Sequence, residues 1–346
     1  MIKYLTVSLL LSVSISCMAQ KGFTIKSEIP GIKNGVVVGL ITAEGTINEE
    51  IAVDTVKNGK FILKGKLDHP RLCTLTTNNL YLLGNDSDAS KIHWTYTTVF
   101  VSNTNMTFTA TTYDSISNDA PIGKCFKVTG GQPQADFNDY NLSKMNPIEW
   151  AKAHPHSALS VKFANDFIKG GSGLTKNHVQ EIENIISTVP DDPIRLEQFR
   201  HNCEFAKQTA VGEKVLDLPL FDTNKKANRL VNIIPKGKYV LVDFWASWCG
   251  ICRSAIPDIK AIAKKYPNIA IVSVSDDRKD DQWKNAMVKE NMPWKQYCLT
   301  ADGGKQLLEK YLITGVPFYL IVDPQGRIAK VPQYASDIDD YFATIK

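Results

Sequence analysis

The sequence predicts three parts: an all-β, sandwich-like N-terminal domain, a helical connector, and a C-terminal α/β domain whose central mixed sheet is flanked by helices. Three observations predict this. Short strands rich in β-branched residues, separated by Gly and Asn turns, fill residues 21 to about 115. Helix starts and apolar stripes at spacings of three and four run from there to about residue 210. From residue 211 continuous apolar strands alternate with helices, the mark of a sheet covered on both faces. At 346 residues, 43% hydrophobic and 22% charged, the chain is long enough for each part to build its own core.

The first twenty residues stand apart. "MIKYLTVSLLLSVSISCMAQ" has one early positive charge, Lys3, then an apolar stretch from Tyr4 to about Ile15, then small residues. This is the layout of a secretory signal peptide, residues 1–19, cleaved after Ala19 and too short to span a bilayer as a mature helix. The other reading is a loose lipobox, "SISC", lipidated at Cys17, although Ser14 fits poorly where such boxes carry leucine. Both readings place the mature chain in the periplasm or cell envelope. No later run of roughly 18 apolar residues follows. A net charge of +4, dispersed with no basic stripe or arm, argues against nucleic acid.

In the β-rich domain, residues 20–118, the strands are "GFTIKSEI", "GVVVGLITA", "EEIAVDTV", "GKFILKGKL", "RLCTLTT", "IHWTYTTVFV" and "MTFTATT". Turn signals such as "PGIKNG" and "VKNGK" separate them, and "GNDSDASK" reads as a polar loop. Regular short strands of this kind imply a sandwich or open barrel. The connector, residues 119–210, opens helices at Asn146-Pro147 and Asp192-Pro193, each an N-cap followed by a proline in the first turn. Leu196, Phe199, Cys203, Ala206 and Ala210 make an apolar stripe, which gives Cys203 a core role. "SALSVKFANDFIKGG", stopped by Gly170 and Gly171, and "KNHVQEIENIISTV" also read as helices.

In the C-terminal domain, residues 211–346, "KYVLVDFWA" is a strand and Arg253 to Tyr266 a helix with Ile256, Ile259, Ile262 and Tyr266 on one face. The strand "IAIVSVS" and the helix "DQWKNAMVKEN" follow, then the helix "GGKQLLEKY" and the strands "PFYLIVD" and "RIAKV" joined by the turn "DPQG". A capping-box-like "SDID" at Ser336 opens the last helix.

Seven cysteines, Cys17, Cys73, Cys125, Cys203, Cys249, Cys252 and Cys298, are too few for a disulfide scaffold in a chain of this length. Only Cys249 and Cys252 lie close together, where a strand turns directly into a helix. Unpaired amides and the dipole at a helix N-terminus favour an anion, so the first thiol is activated: Cys249 is the nucleophile and Cys252 the resolving thiol. Zinc is the structural alternative. It wants four ligands, and no second Cys pair is present; His154 and His156 of "HPHS" lie in another segment, in a loop before a helix. No metal or other cofactor is implied. An inert structural disulfide is the third reading.

"YVLVDFWASWCGIC", Pro257 five residues after Cys252, and "GVP" ahead of a late strand resemble the thioredoxin family, over residues 211–346. The insert "SDDRKDDQWKNAMVKENMPW" is similar to that of its exported thiol–disulfide oxidoreductases, the branch that serves cytochrome c maturation. The N-terminal pattern resembles the β-rich domain of unassigned function that precedes such domains in exported bacterial proteins. The resemblance implies the thioredoxin fold, a redox-active disulfide between Cys249 and Cys252, and three further site positions. Pro317 matches the family's cis-proline, which would hold the Val316 backbone beside the sulfurs for an extended substrate. Asp243 matches the buried acid behind the cysteines; burial should raise its pKa and suit it to exchange a proton with Cys252 through water. Its plain alternative is a partly exposed strand-end carboxylate. Trp248, with Gly250 and Ile251, shapes the docking surface, while a core role fits either Trp245 or Trp248.

The chain also departs from the family. Gly250-Ile251 replaces Gly-Pro, and the restored N–H of Ile251 should stabilise the thiolate and make the couple less reducing than ordinary thioredoxin. Ala255 stands where some cytochrome-maturation relatives carry a glutamate, and "FWASWC" lacks the proline and threonine of a peroxidase signature. The reading is therefore an exported protein disulfide oxidoreductase, a reductase or isomerase, with reductase the first reading. Its partners are thiol- or disulfide-containing proteins, with a membrane electron donor to recharge it. The alternative is a cell-envelope binding protein whose thioredoxin-like domain recruits partners without turnover. A homodimer through the β domain is compatible with the sequence. Cys298 reads as a buried thiol or a third redox partner, and Cys73 and Cys125 as free thiols or a disulfide.

Overall fold

The computed structural model describes residues 22–42, 44, 49–84, 88–116, 126–170 and 173–345. The predicted signal peptide, Cys17 and Cys125 lie outside the described residues. The chain divides into two compact units, Met1–Lys144 and Met145–Lys346.

In the first unit, β1 (Phe23–Glu28), β2 (Val37–Thr42), β3 (Glu50–Thr55), β4 (Lys60–Gly65) and β5 (Arg71–Asn78) lead to a short helix, α1 (Leu80–Leu83). Then come β6 (Trp94–Val101), β7 (Asn105–Ala110), β8 (Phe126–Thr129) and helix α2 (Gln132–Ser143). The strands form two four-stranded sheets, ordered β4-β1-β7-β8 and β3-β2-β5-β6. One core lies between them: Phe23, Ile25, Phe61 and Phe108 from the first sheet meet Val38, Leu40, Leu75 and Val99 from the second. The alternation of buried and exposed positions along β1, β4 and β7 is that of the sandwich the sequence predicts. β8 and α2 fall beyond residue 118, in the stretch read as connector. β8 pairs with β7, and Gln134 of α2 accepts a hydrogen bond from the Phe100 amide of β6.

The second unit opens with four helices, α3 (Pro147–Ala153), α4 (Ala158–Gly170), α5 (Lys176–Ile185) and α6 (Pro193–Gln208). Asn146 and Asp192 cap α3 and α6 by accepting from the amides of Glu149 and Arg195, as the Asn-Pro and Asp-Pro signals require. Leu196, Phe199, Cys203, Ala206 and Ala210 are all buried. The rest comprises β9 (Pro219–Asp222), β10 (Ala227–Arg229), α7 (Leu230–Ile233), β11 (Val240–Trp245), α8 (Gly250–Lys265) and β12 (Ala270–Ser275). α9 (Asp280–Glu290), β13 (Lys295–Leu299), α10 (Ala301–Lys310), β14 (Phe318–Val322), β15 (Ile328–Lys330) and α11 (Ala335–Thr344) complete it.

A seven-stranded mixed sheet runs β10-β9-β13-β12-β11-β14-β15, with β11, β12 and β13 parallel and β14 antiparallel to β11. β11 is buried at every position, because its even residues Val240, Val242 and Phe244 enter one core and Leu241 enters the core on the opposite face. α7 and α10 cover the first face; α8 and α11 cover the second. This is the thioredoxin fold.

Two local expectations are corrected. α8 begins at Gly250, three residues before the predicted start, because the Cys249 sulfur accepts from the Cys252 amide and so caps the helix. The last helix begins at Ala335, before Ser336, and Asp337 is the capping group: its carboxylate accepts from the amides of Gln333 and Tyr334.

Candidate active site

Cys249 and Cys252 are joined as a disulfide at the N-terminus of α8. Both are nearly covered, at 7% and 3% exposure, but their neighbours are not: Trp248 is 62% and Ile251 73% exposed. The pair thus sits in a shallow opening rimmed by apolar side chains. The Cys252 amide donates to the Cys249 sulfur at 3.1 Å, the contact that would stabilise a thiolate there once the disulfide is reduced. A side chain at Gly250 would meet no heavy atom within 4 Å, so the turn between the cysteines is open to solvent. Trp245, 1% exposed, is in the core beneath, clustered with both cysteines, Trp283 and Cys298; that assigns the core role to Trp245 and the surface to Trp248.

The Val316–Pro317 peptide is cis, and the Val316 carbonyl oxygen lies 3.6 Å from the Cys249 sulfur. Asp243 is 2% exposed on β11, so the strand-end alternative does not hold. Strand alternation puts it between Leu241 and Trp245, on the face covered by α8; Leu241 packs against α8 and Trp245 clusters with the cysteine pair. Burial pushes its pKa up to about 6, against a hydrogen bond from the Ser273 hydroxyl at 2.7 Å that lowers it. The structure therefore brings Cys249, Cys252 and the Val316–Pro317 peptide together, with Trp248 and Ile251 exposed beside the pair and Asp243 buried on the α8-covered face of β11. Pro257 lies inside α8, and Ala255 is half-buried one turn past the pair.

The other chemical candidates lie elsewhere or are inert. Cys298 shares the buried cluster under the pair, but its thiol donates to the Asp277 carbonyl at 3.4 Å and burial pushes it up to about 12. Cys73 and Cys203 are buried thiols raised in the same way. His154 ends α3 and stacks on Trp150, while His156 bonds the Thr188 carbonyl. Among the described residues no group of three or more His, Cys, Asp or Glu is arranged to hold a metal ion.

Five residues escaped the sequence reading: Asp277, Ser247, Ser275, Ser273 and Trp294. Asp277, 5% exposed, accepts from the Ser247 amide at 2.9 Å, the Ser247 hydroxyl at 2.5 Å and the Ser275 hydroxyl at 2.6 Å. It pins the turn that delivers Trp248 and Cys249. Ser273 joins Asp243 to Trp294, whose indole donates to the serine oxygen at 2.7 Å. The signal was present: Ser273 and Ser275 break an apolar strand at a spacing of two, and buried hydroxyls need partners.

Residues 237–328 match the family described as thioredoxin-like, and residues 23–137 match a domain of unknown function (DUF4369). The thiol-disulfide oxidoreductase ResA of Bacillus subtilis is 28% identical over 154 residues, 42% of this chain and 83% of ResA. The thiol:disulfide interchange protein HelX of Rhodobacter capsulatus is 36% identical over 92 residues; these are 27% of this chain and span 50% of HelX. Among solved structures, the thioredoxin domain of a thiol-disulfide oxidoreductase from Bacteroides vulgatus is 32% identical, with 39% of this chain and 96% of that one covered at a TM-score of 0.36. A thiol:disulfide interchange protein from Bacteroides sp. is 31% identical, with 40% and 91% covered at a TM-score of 0.37. Through its C-terminal domain the chain belongs to the thioredoxin-like thiol–disulfide oxidoreductases, and it carries an N-terminal DUF4369 domain.

Proposed function

We propose that the protein is an exported reductase of protein disulfides that cycles through the Cys249–Cys252 pair. The observation that carries this is the position of the pair: at the N-terminus of α8, with the Cys252 amide on the Cys249 sulfur and the Val316 carbonyl beside it. In the reduced enzyme the Cys249 thiolate attacks one sulfur of a substrate disulfide, and the other substrate sulfur leaves as a thiolate. Cys252 then gives its proton to Asp243 through water and attacks the Cys249 sulfur. The second substrate thiolate is released and takes up a proton. The substrate disulfide has gained two electrons, and the enzyme is left as the disulfide seen here. Val316 and Pro317 offer backbone to an extended substrate, and Trp248 and Ile251 give the opening an apolar rim.

The N-terminal sequence, read as a signal peptide, supports work in the periplasm or envelope, where a membrane electron donor would recharge the pair. Among the described residues no helix is long and apolar enough to cross a membrane. The substrate class is thiol- or disulfide-bearing proteins in general. Ala255 supplies no carboxylate near the pair, so a dedicated haem-protein role is not part of the proposal.

The test is Cys252→Ser. It should accumulate mixed disulfides with substrate through Cys249 and lose insulin reduction, while Cys249→Ser traps nothing. A wild-type protein without insulin-reducing activity, together with a Cys252→Ser variant free of adducts, would instead favour the recruiting module without turnover.

A further inference from the structure

The hydrogen bond of the Asp243 carboxylate runs to the neighbouring strand, β12. On β12, Ser273 is directly opposite Asp243 in register and fully buried, and the serine hydroxyl donates to Asp243 Oδ2 at 2.7 Å. From the segment between α9 and β13, the half-buried Trp294 donates its indole N–H to Ser273 Oγ at 2.7 Å. An indole nitrogen only donates, so Ser273 must be the acceptor in that bond. Its single hydroxyl proton is then directed at Asp243. Were Oδ2 to carry the carboxyl proton, the serine proton would lose this partner in a buried site. Among the described residues Asp243 Oδ1 takes part in no such bond.

We infer that Trp294 and Ser273 form a fixed hydrogen-bond chain that keeps Asp243 Oδ2 an acceptor in both protonation states. The proton exchanged with Cys252 is therefore carried on Oδ1. Ser273 and Trp294 are positioning residues for the proton step; this rests on the proposal that Asp243 handles that proton. The other groups around the carboxylate do not supply the same function. From β14, Tyr319 stands opposite Asp243 in register, and burial with the charges of Asp243 and Asp258 holds its phenol protonated. From α8 come Cys252, which is the exchange partner, and Asp258, which acts on Tyr319. Among the described residues no cation contributes to the Asp243 shift: burial and the Ser273 bond are its causes.

The test follows the Asp243 carboxyl carbon by NMR against pH in the reduced full-length protein, beside the pH profile of mixed-disulfide resolution. Ser273→Ala removes the donor to the ionised form and should raise the titration midpoint by about one pH unit, roughly tenfold in proton affinity. Trp294→Phe frees Ser273 to turn and accept from a protonated carboxyl, giving a smaller rise in the same direction. Ser273→Thr keeps a hydroxyl and should restore the wild-type midpoint. A role in stability alone would change the unfolding midpoint and leave the titration where it was. A Ser273→Ala midpoint that stays put or falls overturns the chain, and an unmoved Trp294→Phe midpoint overturns the part played by Trp294. Asp243→Asn serves as the separate control. If it resolves mixed disulfides as fast as wild type, the proton-handling reading fails, while the midpoints still decide whether the chain exists.

Discussion

Asp243 is a residue held where its charge is unwelcome. Its folded pKa, about 6, lies above the ordinary 3.8, so the folded state binds the proton more tightly than the unfolded chain does. The stability this contributes is complete below about pH 4 and is lost as pH rises through 6. Asp243→Asn should remove that slope, so that at pH 8 the variant is the more stable by on the order of 2 kcal/mol and at pH 4 the difference closes. Urea unfolding at both pH values checks it; a gap independent of pH would show that the carboxylate does not titrate in this window. Ile251 offers a second measurement. Its side chain is 73% exposed in the first turn of α8, where proline is tolerated because a first-turn N–H has no partner within the helix. Ile251→Pro should therefore fold normally while removing one donor from the neighbourhood of the thiolate. The couple should become more reducing, by on the order of 30 mV, measured by equilibration with glutathione.

At the scale of the element, the turn from β11 into α8 is held from the side. The Asp277 carboxylate, at the end of β12, takes both the amide and the hydroxyl of Ser247, and the Ser275 hydroxyl completes its shell. A buried carboxylate with three donors is well satisfied, so losing one should cost about 1–2 kcal/mol. Ser247→Ala is expected to lose that much in urea unfolding and to raise KM for a protein substrate more than it lowers kcat, because Trp248 and Cys249 are presented less firmly. A variant with unchanged KM would confine Asp277 to stability. The cysteine pair and Asp243 were legible because each is a strong local signal: spacing at a strand–helix junction, and a charge inside an apolar strand. Asp277 was not, since it sits in the acidic run "SDDRKDD". Only pairing of β11 with β12 in register shows which of those carboxylates turns inward.

For the whole molecule, strand and helix periodicity made both domain types readable, whereas strand order and the ends of the units depend on long-range pairing. β8 illustrates this. Four residues carry little pattern by themselves, and their place follows from the partner β7. The connector is a larger case, because the sequence changes period at residue 211 while the compact unit begins at Met145. Within that unit the Val211 amide donates to the Leu174 carbonyl, and Lys176 pairs with Glu213. Ile168, Ala206 and Ala210 of the connector share the lining of one cavity with Tyr311, Phe318 and Val331. Phe318 directly follows the cis Val316–Pro317 segment, so the helices support the strand that carries the backbone proposed to dock substrate. A fragment of residues 145–346 should accordingly fold on its own and keep the reduction potential of the full chain. A fragment of residues 211–346 exposes Tyr311, Phe318 and Val331, which are now 7–8% exposed. At about 1.5–3 kcal/mol for each large apolar side chain uncovered, it should be several kcal/mol less stable, partial uncovering included. It should also bind substrate more weakly while its Cys249–Cys252 potential stays put. Equal unfolding midpoints for the two fragments would mean that the helices contribute nothing to the domain that carries the disulfide.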